Sequence, residues 1–216
     1  MAAMALMPTS AASYAMRSAA TAAVGAACLW IAARGASESE RQSWRAGTRF
    51  FDVCLATAAG LAVCALWVLP ECSELYRIWC VLPLGADGTA AAGGVVEASP
   101  YDPHVCGWPL TVAKIVGSAF VIAPAEEVFF RHFLYKRLVR RDFWNVPLRH
   151  FDASAFCWMV LLFTLEHDRP LAAAAAGAAY GLLAIWRGLP AAIVAHVVTN
   201  LALGLHVVAH DAWRFW

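Results

Sequence analysis

Three short stretches of this sequence set ionisable or amide side chains inside otherwise apolar runs. They are Ala125-Glu126-Glu127-Val128-Phe129-Phe130-Arg131, Phe163-Thr164-Leu165-Glu166-His167-Asp168 and Ala195-His196-Val197-Val198-Thr199-Asn200. Two adjacent carboxylates in apolar surroundings cannot both stay ionised without compensation. Glu127 and Arg131 are spaced i,i+4, which puts them on one helical face and predicts a charge-assisted pair. Glu126 points about 100° away, without an in-helix partner, and is the carboxylate available as a general base. His196 and Asn200 repeat the i,i+4 spacing and project from one face. The three stretches together offer a base, imidazoles and amide donors, with no nucleophile of the Ser or Cys type. A plainer account makes the glutamates a helix end and Arg131 a juxtamembrane charge. It would make His167 a solvated terminus, and His196 and Asn200 interhelical hydrogen-bonding residues. That account explains the paired glutamates poorly, because a charge at the bilayer centre costs at least ~2.5–3.5 kcal/mol.

The elements that must carry these residues are membrane spans. Of 216 residues, 62% are hydrophobic and 14% charged, against roughly 45–50% and 25% in soluble domains. Mean hydropathy is +0.61, too apolar for a solvated surface. The net charge of +1 leaves no basic field for a nucleic acid. The reading is an all-α, polytopic transmembrane helical bundle of about six spanning helices in a cell (inner) membrane. The expected spans are 11–33, 50–70, one from Trp108 through Lys114 into Glu126, Glu127 and Arg131, then 153–167, 170–187 and 189–208. The first is read as an anchor or span, since no basic region precedes it. Segment 72–84 is apolar but short, and is expected at the interface. Residues 1–107 form N-terminal spans and an outer loop, and 108–216 the membrane core with the chemistry.

Orientation follows the basic residues. Arg34, Arg41, Arg45 and Arg49 fill one link, Lys136, Arg137, Arg140, Arg141 and Arg149 another, and Arg187 a third. With six spans all three share one side, the cytoplasmic one, and both termini face out. The opposite loop, 71–107, has Arg77 among five acidic residues, with Tyr101-Asp102-Pro103 as a turn. Lys114 is expected to snorkel, and the Asp211–Trp216 tail to anchor at the interface. No CxxC occurs among the seven cysteines. Cys72, Cys80 and Cys106 share the outer loop, where a disulfide is chemically allowed. His104, His132 and His150 sit in or beside polar links, and His206 and His210 near the outer boundary.

Glu-Glu-x-x-x-Arg, Phe-x-x-x-His and His-x-x-x-Asn, in that order on membrane helices, resemble the CAAX prenyl endopeptidase and bacteriocin-processing family. All three motifs are complete: Glu126-Glu127 with Arg131, Phe163 with His167, and His196 with Asn200. The ordered triple covers about residues 108–210. The Glu-Val-Phe-Phe-Arg wording and the Phe-Asp-Ala-Ser stretch also look like a bacterial branch associated with exosortase systems.

The resemblance implies a glutamic intramembrane endopeptidase. Carried over, Glu126 activates water with help from His167, His196 and Asn200 hydrogen-bond the oxyanion, and Glu127 with Arg131 orients the site. Its partners would be the bilayer and a peptide or protein substrate, lipid-modified or not. In better known relatives the substrate is a prenylated C-terminal tail. The resemblance implies no cofactor. The rival metal reading uses Glu126, His167 and His196 as zinc ligands, although no HExxH is present. A second rival is a non-enzymatic peptide-binding, immunity or scaffold protein. A third is a proton-coupled transporter, disfavoured by the lack of a repeat pair. One tension remains: on this topology His167 ends its span on the outer side, away from Glu126 and His196.

Overall fold

A computed structural model of the chain describes residues 49–69 and 99–216, with scattered positions between 13 and 41. The expected 11–33 span and 34–49 link are only partly among the described residues. The 72–84 segment, with Cys72 and Cys80, lies outside them. The described residues are helical, with no strand among them. We number the helices α1 (Phe50–Val68), α2 (Pro103–Cys106), α3 (Trp108–Val139), α4 (Ala153–Leu165), α5 (Pro170–Arg187) and α6 (Leu189–His210). Helices α1, α3 and α6 are long and apolar enough to cross a membrane. Large apolar side chains such as Phe50, Leu61, Phe120, Trp158, Leu171 and Leu205 are exposed, as suits a surface facing lipid rather than water. The chain is an integral membrane protein.

Helix α6 is the hub, packed against α1, α3 and α5. Its approach to α1 is close enough that a Cβ on Gly60 would collide with the Ala195 carbonyl oxygen. The alanine run of α5 does the same work for its neighbours. Ala172, Ala173, Ala176, Gly177, Gly181 and Ala184 are all buried, and small residues let membrane helices approach within van der Waals reach. Helices α5 and α6 are joined by Gly188 alone, at φ 97°, a conformation that only glycine adopts without strain. Asp52, at the start of α1, meets Arg187, at the end of α5, at 3.3 Å. The first turn of α1 and the α5–α6 link therefore lie at one end of the bundle.

Helix α3 runs on past Arg131, where the expected span ends. It runs for 32 residues, or about 48 Å at 1.5 Å per residue. Lys136 and Arg137 thus belong to its last turn, where Lys136 is buried. His132, expected beside a polar link, is likewise buried within the helix. Two stretches of α3, Ser118–Ile122 and Val128–Tyr135, are wound as π-helix, with i→i+5 hydrogen bonds that widen the turn. Helix α4 departs the other way. Asp152 caps it by accepting from the Ala155 N–H at 2.8 Å, and it ends after 13 residues. That is about 20 Å, short of the ~30 Å hydrocarbon thickness. Glu166 and His167 follow directly after its last residue.

The C-terminal tail is not a plain interfacial anchor. Asp211 ends α6 at φ 50°, and residues 213–216 fold back over the Asp168-Arg169-Pro170 turn. Arg169 Nη2 donates to the Arg214 carbonyl at 2.7 Å, and its guanidinium lies 4.7 Å from the Phe215 ring centroid. The expected turn at Tyr101-Asp102-Pro103 is present: the Asp102 N–H bonds to the Ser99 carbonyl, and Asp102 caps α2. Cys106 carries a free thiol.

Candidate active site

A cavity of about 190 Å³ opens between α1, α3, α4, α5 and α6, lined by Glu126, His167, His196 and Asn200 among others. Four of the six residues singled out from sequence thus face one space. The other two, Glu127 and Arg131, are fully buried beside it. The short α4 removes the tension over His167, because its end lies level with the middle of α3 and α6.

The two glutamates have separate environments. Glu127 Oε2 lies 3.0 Å from Arg131 Nε, the i,i+4 contact anticipated from spacing, although oblique to the N–H direction. Glu127 Oε1 accepts from His196 Nδ1 at 2.9 Å, a bond between helices that the sequence did not announce. Arg131 also donates Nη2 to the Gly177 carbonyl at 3.3 Å, and its guanidinium lies 4.6 Å from the Phe163 ring centroid. Burial of this kind is inconsistent with a juxtamembrane arginine. Glu126 retains partial exposure towards the cavity, and its Oε2 lies 3.9 Å from His196 Nε2.

The remaining polar groups are oriented by backbone carbonyls. A carbonyl can only accept, so His167 Nδ1 donates to the Phe163 oxygen at 2.7 Å. In the neutral ring this leaves Nε2 as an acceptor. The Phe-x-x-x-His spacing is thereby a hydrogen bond from imidazole to the carbonyl four residues back, with the ring tilted against Phe163 and edge-on to Trp67. Asn200 Nδ2 donates to the Ser118 carbonyl at 3.0 Å, at the start of the first wide turn of α3. One N–H of that amide remains beyond this bond.

Several cavity residues carried no role in the sequence reading. Tyr180 stacks on His196, centroids 4.8 Å apart. Trp67 brings α1 to the wall, and Phe215 and Trp216 bring the tail. Lys114, expected to snorkel outward, also lines the cavity, 4.8 Å from the Tyr101 ring centroid. Tyr180 did have a signal: a phenol amid alanines and leucines in a span needs a hydrogen-bond partner. Among the described residues, no three His, Cys, Asp or Glu side chains converge as a metal-holding group.

A helical bundle with an apolar exterior that buries an arginine–glutamate–histidine chain beside a cavity is the architecture of an integral membrane protein. Residues 108–202 match the family described as Type II CAAX prenyl endopeptidase Rce1-like. Over that segment, somewhat less than half of the chain, it is similar to the CAAX prenyl endopeptidase and bacteriocin-processing family, a family of proteases. No curated protein matches the chain. No solved structure matches it either.

Proposed function

We propose that this chain is a glutamic-type intramembrane endopeptidase, multi-pass in the cell's inner membrane, that hydrolyses a peptide bond with water activated by Glu126. The observation that carries the reading is the division between neighbouring carboxylates. Glu127 is held by Arg131 and His196, whereas Glu126 faces the cavity with His167, His196 and Asn200.

In this mechanism Glu126 takes a proton from water, and His167 Nε2 accepts the second water hydrogen and aligns it. Hydroxide attacks the peptide carbonyl, and the oxyanion forms towards Asn200 and His196. His196 serves as a donor at Nε2 when its ring is doubly protonated. The Glu127 carboxylate accepts from Nδ1 and orients the ring, much as a buried aspartate does in serine protease triads. Donors aimed at a developing oxyanion are typically worth ~2.7–4 kcal/mol each. Glu126 then hands its proton to the amide nitrogen as the C–N bond breaks, leaving one carboxylic acid and one amine. The substrate is a peptide or protein segment, lipid-modified or not, that reaches the cavity from the bilayer. The Glu-Val-Phe-Phe-Arg and Phe-Asp-Ala-Ser stretches support a place in the exosortase-associated bacterial branch.

The test is mass spectrometry of membrane and secreted peptides from cells with the wild-type protein, with Glu126→Gln, and without either. Cleavage products confined to the wild type are expected. Products that persist with Glu126→Gln overturn the assignment. A peptide bound equally by both proteins and cut by neither makes this a binding protein.

A further inference from the structure

We infer that Tyr180 and Thr199 are positioning residues that hold the His196 imidazole in register with Glu127, and that they take their own position from α1. Tyr180 is 1% exposed. Its ring stacks on His196 with planes 22° apart, while Phe163 closes another side of the imidazole edge-on at 6.1 Å. The Tyr180 hydroxyl donates to Thr199 Oγ1 at 2.7 Å. Thr199 in turn donates to the Gly60 carbonyl at 2.8 Å, with the Ala195 carbonyl 3.0 Å away as the alternative acceptor. The Gly60 oxygen has a second lone pair beyond its helical bond, and the missing Cβ of Gly60 permits the close approach that brings it there.

The chain Gly60–Thr199–Tyr180–His196 therefore runs from α1 to the site. Helix α1 precedes the segment matched to the protease family, so the ring orientation depends on a part of the protein outside that segment. Rotation of the imidazole about its Cβ–Cγ bond would break the 2.9 Å bond to Glu127 and drive the ring edge into Tyr180. A tyrosine that merely filled space would need no hydroxyl, and a threonine that merely bonded back to its own helix would not reach α1.

The experiment uses the full chain in detergent micelles with ¹⁵N-labelled histidine, His196 being assigned by comparison with His196→Gln. The readout is the hydrogen-bonded Nδ1–H signal. Tyr180→Leu and Thr199→Val are expected to lose it to fast exchange, and Thr199→Ser, which keeps the hydroxyl, to retain it. An unchanged signal in Tyr180→Leu, or the same signal in Thr199→Val and Thr199→Ser, overturns the inference. If Tyr180→Leu does not fold, Tyr180→Phe takes its place: it keeps the ring and removes the donor, and is expected to weaken the signal. The consequence for turnover rests on the proteolytic reading. With a farnesylated Cys-aliphatic-aliphatic-X peptide as probe, kcat should fall on the order of tenfold to a hundredfold in Thr199→Val while KM holds, since small misplacements cost that much. A wild-type protein that fails to cut the probe counts against that substrate and leaves the spectroscopic result to decide the positioning role.

Discussion

Glu127 and His196 are 69 residues apart in sequence and 2.9 Å apart in space, carboxylate oxygen to Nδ1. The other oxygen of Glu127 meets Arg131, so one carboxylate links a permanent cation on its own helix to a titratable ring on another. The Arg131 guanidinium lies on one side of the carboxylate, and on the other the carboxylate accepts from His196 Nδ1, which is therefore the nitrogen that carries the proton of this bond. The unbonded nitrogen is thereby turned towards Glu126 and the cavity.

Replacing Glu126 by Gln should keep the shape of the cavity and remove the base. Turnover is expected to fall by about 10²–10⁴, the usual contribution of general-base catalysis. Melting in detergent should hold or rise. An active Glu126→Gln protein would sink the catalytic assignment.

Arg131→Ala should behave differently. It leaves Glu127 buried without its cation, a change that typically costs ~3–5 kcal/mol. Melting temperature and activity should fall together. A melting curve identical to that of the wild type would show that Arg131 contributes nothing to the pair.

Cleavage should survive strong chelation, since a carboxylate base and fixed donors suffice for the chemistry proposed. Activity assayed before and after dialysis against chelator checks this. Complete loss, restored by zinc alone, would make Glu126, His167 and His196 ligands.

Topology can be read with an impermeant thiol reagent on intact cells. Cys106 should label, and a cysteine placed at the exposed Arg149 should label only after permeabilisation. The reverse pattern would invert the orientation derived from the Arg-rich links.

Contacts within one helix were legible in the sequence because the period of the helix alone sets them. Glu127 with Arg131, and His196 beside Asn200 on one face, are of that kind. Contacts between helices were not, because they depend on how each helix is rotated and how deep it sits. The Glu127–His196 bond requires α3 and α6 to face each other, which no spacing within either reports. The place of His167 required the length of α4, and hydropathy gave a span of 153–167 where the helix stops at Leu165. The inward fold of the tail was not legible, because tryptophans at a chain end also suit an interface. Only its hydrogen bond from Arg169 shows that it folds inward.

The first wide turn of α3 has a consequence for the phase of the whole helix. Lys114 and Glu126 are twelve residues apart, and in an uninterrupted α-helix they would point about 120° apart at about 100° per residue. The Ser118–Ile122 turn takes up one extra residue, cutting the offset to about 20°, and both side chains line the same cavity. A residue removed inside that turn would leave the two halves of α3 facing as they do now. The same deletion elsewhere between Lys114 and Glu126 would swing the glutamates by about 100°. The helix can therefore change length at one place without rotating its chemistry away from α6.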